Sequence, residues 1–279
     1  MSSYDYDNSF SLEVEEHRSM EKSGYTIRDI SYASPLGGRV PAYLVVPHTD
    51  RPSPAILYLH PGQGNRSTFL GEAEKMAEKG FVSLLIDAPF LRVDAANQSN
   101  MEPSVVQIVE IVTDVTKFRQ TIVDLRRGID LLCSFPTVDS QRISYVGHSY
   151  GATWGGVLAG VETRIQSYVL MAGLSRSSEW HRSSEHPLAA LVRQVLPKEK
   201  FDQFISEIEP MDAIHFIDKA APDSLLFQFA RQDDFISPHQ ANEYVESANT
   251  SKEMIWYETD HLFTNCTRAE EDRMNWLSK

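Results

Sequence analysis

The stretch Arg142-Ile143-Ser144-Tyr145-Val146-Gly147-His148-Ser149-Tyr150-Gly151-Ala152 decides how the rest of the chain reads. β-Prone residues run straight into Gly-x-Ser-x-Gly, and small residues follow. This is the pattern of a buried strand ending in a tight turn, with Ser149 at the tip and a helix starting behind it. A serine so placed sits in strained backbone, at a cost of about 1–3 kcal/mol. Gly147 and Gly151 carry no Cβ, so strand and helix can close on each other. The hydroxyl then stands above the sheet with a helix N-terminus beneath it. The bland alternative is an ordinary strand-to-helix turn, since so short a motif also arises by chance. The flanking strand and helix, and two partners downstream, favour the nucleophile.

Upstream, Ala55 to Leu59 is a short continuous apolar run, expected of a strand covered on both faces. It ends in His60-Pro61-Gly62-Gln63-Gly64. A helix through Phe69, Ala73, Met76 and Ala77 follows, closed by Gly80, and Phe81 to Asp87 is another buried strand. Strand, helix, strand implies a right-handed parallel crossover. Before it, residues 25–32 and 40–47 read as an antiparallel hairpin turning at Ser34 to Arg39, with Pro41 and Pro47 suiting a sheet edge. Residues 1–23 read as a loosely attached, solvated arm, with a short amphipathic helix around Leu12 and Val14.

Between Ala88 and Val115 the connection is long. Pro103 suits a first helical position, and Val105, Ile108, Val109, Val112 and Val115 recur at helical spacing. Phe118, Ile122, Leu125, Ile129 and Leu132 mark a second amphipathic helix, ended by Pro136. That stripe is expected to be core packing without chemistry.

Downstream of the elbow, Ile165 to Ala172 is a strand. Residues 174–222 then break the rhythm. Serines from Ser175 to Ser184 mark a loop, and two amphipathic stretches follow, around Leu188 to Val195 and Phe201 to Ile208. Placed at the carboxyl ends of the strands, this insertion reads as a small helical lid; the alternative is a helical connector packed on the sheet. Residues 224–230 form a strand leading to Asp233, and Pro238 opens a helix. Residues 252–257 form the last strand, with His261 just beyond it and a terminal helix carrying Trp276 and Leu277.

Composition narrows the function. The 279 residues are 42% hydrophobic and 23% charged, enough for one substantial core. A net charge of −13 disfavours nucleic acid and anionic membrane surfaces. No run of about 18 apolar residues suggests a membrane span. The first ten residues are polar and acidic, unlike a secretory leader, and Cys133 and Cys266 are far apart with no CxxC. A cytoplasmic location with free thiols is therefore expected. No HExxH occurs, and Gly62-Gln63-Gly64 is an incomplete dinucleotide fingerprint, so neither metal nor cofactor is expected.

The order Ser149, Asp233, His261, each just past a strand, resembles the nucleophile, acid and base of the α/β-hydrolase superfamily. Ala230-Arg231-Gln232-Asp233-Asp234-Phe235-Ile236-Ser237-Pro238 is similar to that superfamily's Gly-x-x-Asp-x-x-Val-Pro acid loop. Asp260-His261 stands where Gly-His is usual. The hairpin entry, Leu44-Val45-Val46-Pro47 and His60-Pro61-Gly62-Gln63-Gly64 resemble dienelactone-hydrolase-like esterases and prolyl-oligopeptidase-type peptidases. The resemblance covers about residues 25–279. It implies a mostly parallel α/β-hydrolase sheet flanked by helices, with the antiparallel N-terminal hairpin and the lid inserted. The domain would span residues 24–279.

The resemblance also implies roles. Ser149 would attack a carbonyl, His261 would take and return its proton, and Asp233 would orient the imidazole. The backbone N–H groups of Tyr150 and Gln63 would hold the oxyanion. Asp234 is the rival acid, but the spacing to Ile236 favours Asp233. His148 and His60 read as packing or loop residues. His181, His186, His215 and His239 read as surface or lid residues, and Asp87 as a loop anchor. The expected activity is cleavage of a small carboxylic ester through an acyl-enzyme, without a cofactor. A short peptide or amide, a thioester, or acyl transfer would use the same residues, and a vestigial binding protein would keep the fold without turnover. An edge strand or the lid would offer a homodimer surface.

Overall fold

The computed structural model describes residues 3–92, 104–220 and 224–279. Its sheet is built from the runs that the sequence marks as strands. They are β1 (Glu15–Glu21), β2 (Tyr25–Ala33), β3 (Arg39–Pro47), β4 (Ser53–Leu59), β5 (Val82–Ile86), β6 (Val138–His148), β7 (Ile165–Met171), β8 (Ser224–Gln232) and β9 (Lys252–Asp260). They lie in the order β1-β2-β3-β5-β4-β6-β7-β8-β9. The first three pair antiparallel, β3 meets β5 antiparallel, and every pair from β5 onward is parallel. Central strands β4 and β5 are almost wholly buried and, apart from Ser53 and Ser83, apolar or aromatic, because helices cover both sides.

Those helices are α1 (Leu70–Glu78), α2 (Val105–Val112), α3 (Val115–Ser134), α4 (Tyr150–Val161), α5 (Ser177–Ser183), α6 (Pro187–Val195), α7 (Lys198–Ile208), α8 (Pro238–Ser247) and α9 (Thr267–Leu277). On one side, the buried pair Arg273–Glu72 at 2.7 Å joins α9 to α1. On the other, Tyr244 of α8 donates its hydroxyl to the Ala152 carbonyl of α4 at 2.9 Å, and α4 packs on α3. The Phe118 to Leu132 stripe of α3 faces the core as its spacing requires. Pro103 lies outside the described residues; Ser104 caps α2 through a capping box with Gln107. Asp114 then caps α3, so the periodic run from Val105 to Leu132 is two helices.

Two expectations change. Residues 3–23 are neither loose nor helical. Glu15–Glu21 is a strand, and Tyr4 is buried against Phe216. The arm is held by arginines of α3: Arg119 donates to the Ser3 carbonyl and Arg126 to the Tyr4 carbonyl, each at 2.6 Å. Glu-Glu-His-Arg-Ser-Met-Glu shows no apolar alternation because it is a charged outer strand, with the polar edge that discourages stray pairing. β3 is therefore interior. Its prolines are tolerated because the β3–β5 ladder runs only from Ala42 to Val45, leaving Pro41 and Pro47 outside it.

Candidate active site

Four segments converge where parallel strands β4, β6, β8 and β9 end. Ser149 follows β6 with φ 52° and ψ −105°, a conformation that L-residues rarely hold. Close approach enforces the turn. A Cβ on Gly147 would lie 2.4 Å from the Gly151 carbonyl oxygen, and one on Gly151 would lie 2.2 Å from the Leu59 carbonyl oxygen. The Ser149 N–H donates to the Met171 carbonyl at 2.7 Å, which ties the elbow to the neighbouring strand.

Asp233 follows β8 and His261 follows β9. His261 Nδ1 lies 2.8 Å from Asp233 Oδ2 and 3.0 Å from Oδ1. His261 Nε2 lies 2.8 Å from Ser149 Oγ. An ionised carboxylate only accepts, so the Nδ1–H donates to Asp233 and Nε2 is left to accept the serine hydroxyl. The Asp233 side chain is 1% exposed and that of His261 7%. Asp233 Oδ1 also accepts the N–H groups of Phe235 and Ile236, both at 2.8 Å, which hold its plane. Asp234 points to solvent. Of the two neighbouring aspartates, Asp233 is the one that meets the His261 ring.

Two histidines set aside as packing residues support this relay. His148 Nε2 donates to the backbone carbonyl of His261 at 2.8 Å, and its ring packs 5.5 Å from the His261 ring. His60 Nε2 accepts the Ala88 N–H at 3.0 Å, so its Nδ1–H donates to the Pro61 carbonyl at 2.7 Å. It thereby shapes the loop that carries Gln63. Asp87 accepts the Arg66 N–H at 2.7 Å and anchors the far end of the same loop. The signal for both histidines was adjacency: each flanks an expected site residue.

Burial, reinforced by the nearby His261, pushes the His148 pKa down from 6.5 to about 3. The folded-state value lies below the unfolded one. The stabilising contribution is therefore complete above about pH 6.5 and is lost as pH falls toward 3. Thermal melts between pH 7 and pH 4 should show Tm falling with acid, and falling less steeply in His148→Gln, which keeps a donor for the His261 carbonyl. Equal slopes in the two proteins would exclude this titration as the cause.

Beside Ser149 lies a cavity of about 300 Å³. Gly62, Gln63 and Tyr150 line it together with Ser149, and among the described residues the N–H groups of Gln63 and Tyr150 have no acceptor. Phe118 lies on its wall. The α3 stripe is thus not core packing alone, because its first residue also lines the cavity. Residues 174–220 supply Leu174, Ser177, Trp180, His181 and Leu188 to the lining. The serine-rich part is helix α5 rather than a loop. Its early Ser178 N–H is capped at 3.0 Å by Asp212, a partner 34 positions away that local sequence does not reveal. Trp180 stacks on Phe235 at 4.4 Å, and Phe235 on His261 at 5.0 Å, so the insertion is packed against the Asp233 loop and His261. His215 and His239 are exposed, while His186 caps α6. Among the described residues no group of three or more His, Cys, Asp or Glu could hold a metal, and no helix is long and apolar enough to cross a membrane.

Residues 4–279 match a family described as acetyl xylan esterase (AXE1). No curated protein sequence matches the chain. The acetyl xylan esterase from Paenibacillus sp. R4 is similar, with a TM-score of 0.79 at 19% identity, over 97% of this chain and 90% of that one. Acetyl xylan esterase 1 from Thermoanaerobacterium sp. JW/SL YS485 gives 0.76 at 16% identity, over 99% and 92%. A prolyl endopeptidase gives 0.67 at 16% identity, over 92% of this chain but 39% of its own. At such identities the structural likeness establishes the α/β-hydrolase fold alone. The family match spans nearly the whole sequence and carries further: the chain belongs to the acetyl xylan esterase family, a family of carboxylic ester hydrolases with the α/β-hydrolase fold.

Proposed function

We propose that the chain hydrolyses a carboxylic ester of a small molecule through an acyl-enzyme on Ser149. The observation that carries this reading is the unbroken relay from Ser149 Oγ through the His261 ring to Asp233, each contact at 2.8 Å. His261 Nε2 takes the hydroxyl proton as Oγ attacks the ester carbonyl. The carbonyl oxygen becomes an oxyanion, received by the N–H groups of Tyr150 and Gln63. Collapse breaks the carbon–oxygen bond, and His261 returns its proton to the departing alcohol. Water then repeats the sequence on the acyl-enzyme and releases the acid. Asp233 holds the tautomer and steadies the transient imidazolium.

Membership in an esterase family favours the ester over the peptide bond. Residues 174–222 act in this reading as a lid whose helices wall the substrate cavity. The free thiols Cys133 and Cys266 suit a reducing, cytoplasmic setting. A fluorophosphonate probe tests the proposal. Wild type should carry the adduct on Ser149, Ser149→Ala should stay blank, and wild type should release nitrophenol from para-nitrophenyl acetate. An adduct on another residue, or no turnover of any ester, would falsify it.

A further inference from the structure

We infer that the cavity beside Ser149 takes a flat apolar part of the ester, and that His181 is the specificity residue that hydrogen-bonds a single polar atom carried on that part. The substrate class is an aryl or arylalkyl ester with a ring hydroxyl. The inference rests on the ester-hydrolase reading above and adds the identity of the group that is bound.

The first observation is the lining. Phe90, Phe118, Trp154, Trp180, Ile108 and Leu188 stand on the wall. Aromatic walls receive a flat ring in offset or edge-on contact. At about 300 Å³ the cavity has far more room than a two-carbon acyl group fills, and apolar walls left unfilled forfeit their dispersion contacts.

The second observation is how few polar groups meet the space. Among the described residues they are the side chains of Gln63, Ser149, Tyr150, Thr153, Ser177 and His181, with the indole N–H groups of Trp154 and Trp180; Tyr150 turns its hydroxyl to Thr121 and Trp180 gives its N–H to the Phe235 carbonyl. Ser149 is committed to the relay, and Thr153 Oγ1 already accepts the Leu174 N–H at 3.0 Å. A sugar ring buried here would leave most of its hydroxyls unpaired, each at a cost of about tenfold in affinity. A ring with one hydroxyl would not.

The third observation is His181 itself. It sits on α5, is 5% exposed, and lines the cavity. Among the described residues its buried Nδ1 has no hydrogen-bond partner. Native interiors pair nearly all buried polar atoms, so an orphan at a substrate cavity points to a partner from outside. The ring meets Trp180 and Phe204 edge-on, each at 5.0 Å, and its carbonyl is held by Arg193 at 2.8 Å. It therefore cannot swing out to water. A half-turn of the ring exchanges the sites of Nδ1 and Cδ2 and of Nε2 and Cε1, so the unpaired nitrogen has two places on a ring that lines the cavity. Burial and the nearby Arg193 lower its pKa to about 4, which keeps it neutral, with one donor and one acceptor.

The test uses the purified full chain and the methyl esters of phenylpropanoic acid and of its ortho, meta and para ring-hydroxylated isomers. Wild type should prefer one isomer over the unsubstituted ester by about tenfold or more in kcat/KM, carried by KM. In His181→Phe, which keeps the volume and removes both nitrogens, that ratio should fall to about one. His181→Gln should retain part of it. Turnover of para-nitrophenyl acetate reports that each variant is folded with its relay intact. A ratio unmoved by His181→Phe, no isomer preferred by wild type, or an acetylated xylo-oligosaccharide outcompeting every aryl ester would each overturn the inference while leaving the esterase reading standing. No turnover of any ester by wild type would remove both.

Discussion

Ser149→Ala should lower kcat on para-nitrophenyl acetate by a factor on the order of 10⁴–10⁶, with KM little changed. Among the described residues lining the cavity, Ser149 is the hydroxyl bonded to a histidine; Thr153 Oγ1 is engaged by the Leu174 N–H, and Tyr150 turns its hydroxyl to Thr121 Oγ1 at 2.7 Å. What remains is polarisation of the carbonyl by the two unpaired N–H groups. Position 149 also reports on strain, because its φ of 52° and ψ of −105° persist in alanine. Ser149→Gly adopts such backbone freely and should melt above Ser149→Ala, as relief of about 1–3 kcal/mol requires. The pair separates chemistry from folding: both variants lose turnover and only glycine gains stability. Steady-state kinetics and thermal melts decide it. Retention of about a tenth of wild-type kcat by either variant excludes the acyl-enzyme on this serine.

Asp233→Asn should cost about 10⁴-fold in kcat at neutral pH without unfolding the protein. The reason lies in the loop. Asp233 Oδ1 accepts the N–H groups of both Phe235 and Ile236, so an asparagine keeps its oxygen there and turns its NH₂ toward His261. That NH₂ donates to Nδ1, which must then be unprotonated. The ring proton moves to Nε2, where a lone pair is needed to take the Ser149 hydroxyl proton. The base is present in the wrong tautomer. Asp234→Asn is the control: that side chain is exposed, and its loss should leave kcat within about twofold. A large loss in Asp234→Asn together with a small one in Asp233→Asn would reverse the assignment of the acid.

The meeting of Ser149, Asp233 and His261 was legible because its constraints are local. An elbow needs glycines two positions either side of Ser149, where Gly147 and Gly151 leave no room for a Cβ. The acid loop needs Asp233 at a set distance before Ile236, whose N–H it accepts. Buried parallel strands need continuous apolar runs, as Ala55 to Leu59 shows. In each case the cause and the residue lie within a few positions of each other, so a linear text records them.

What the linear text concealed depends on partners distant in sequence. β1 has no apolar alternation, since an outer strand buries little, and the arm before it is held by arginines more than a hundred residues away. Helix α5 looked like a loop because its cap comes from Asp212. His148 looked inert until the fold brought the His261 carbonyl to 2.8 Å from its ring. His181 is one histidine among nine in the sequence; its place on the cavity wall comes from the packing of α5 against Phe204 and Trp180. Backbone turns and strand periodicity are properties of neighbouring residues. Which side chains share one small space is set by close packing between segments, and that arises only once the chain has folded.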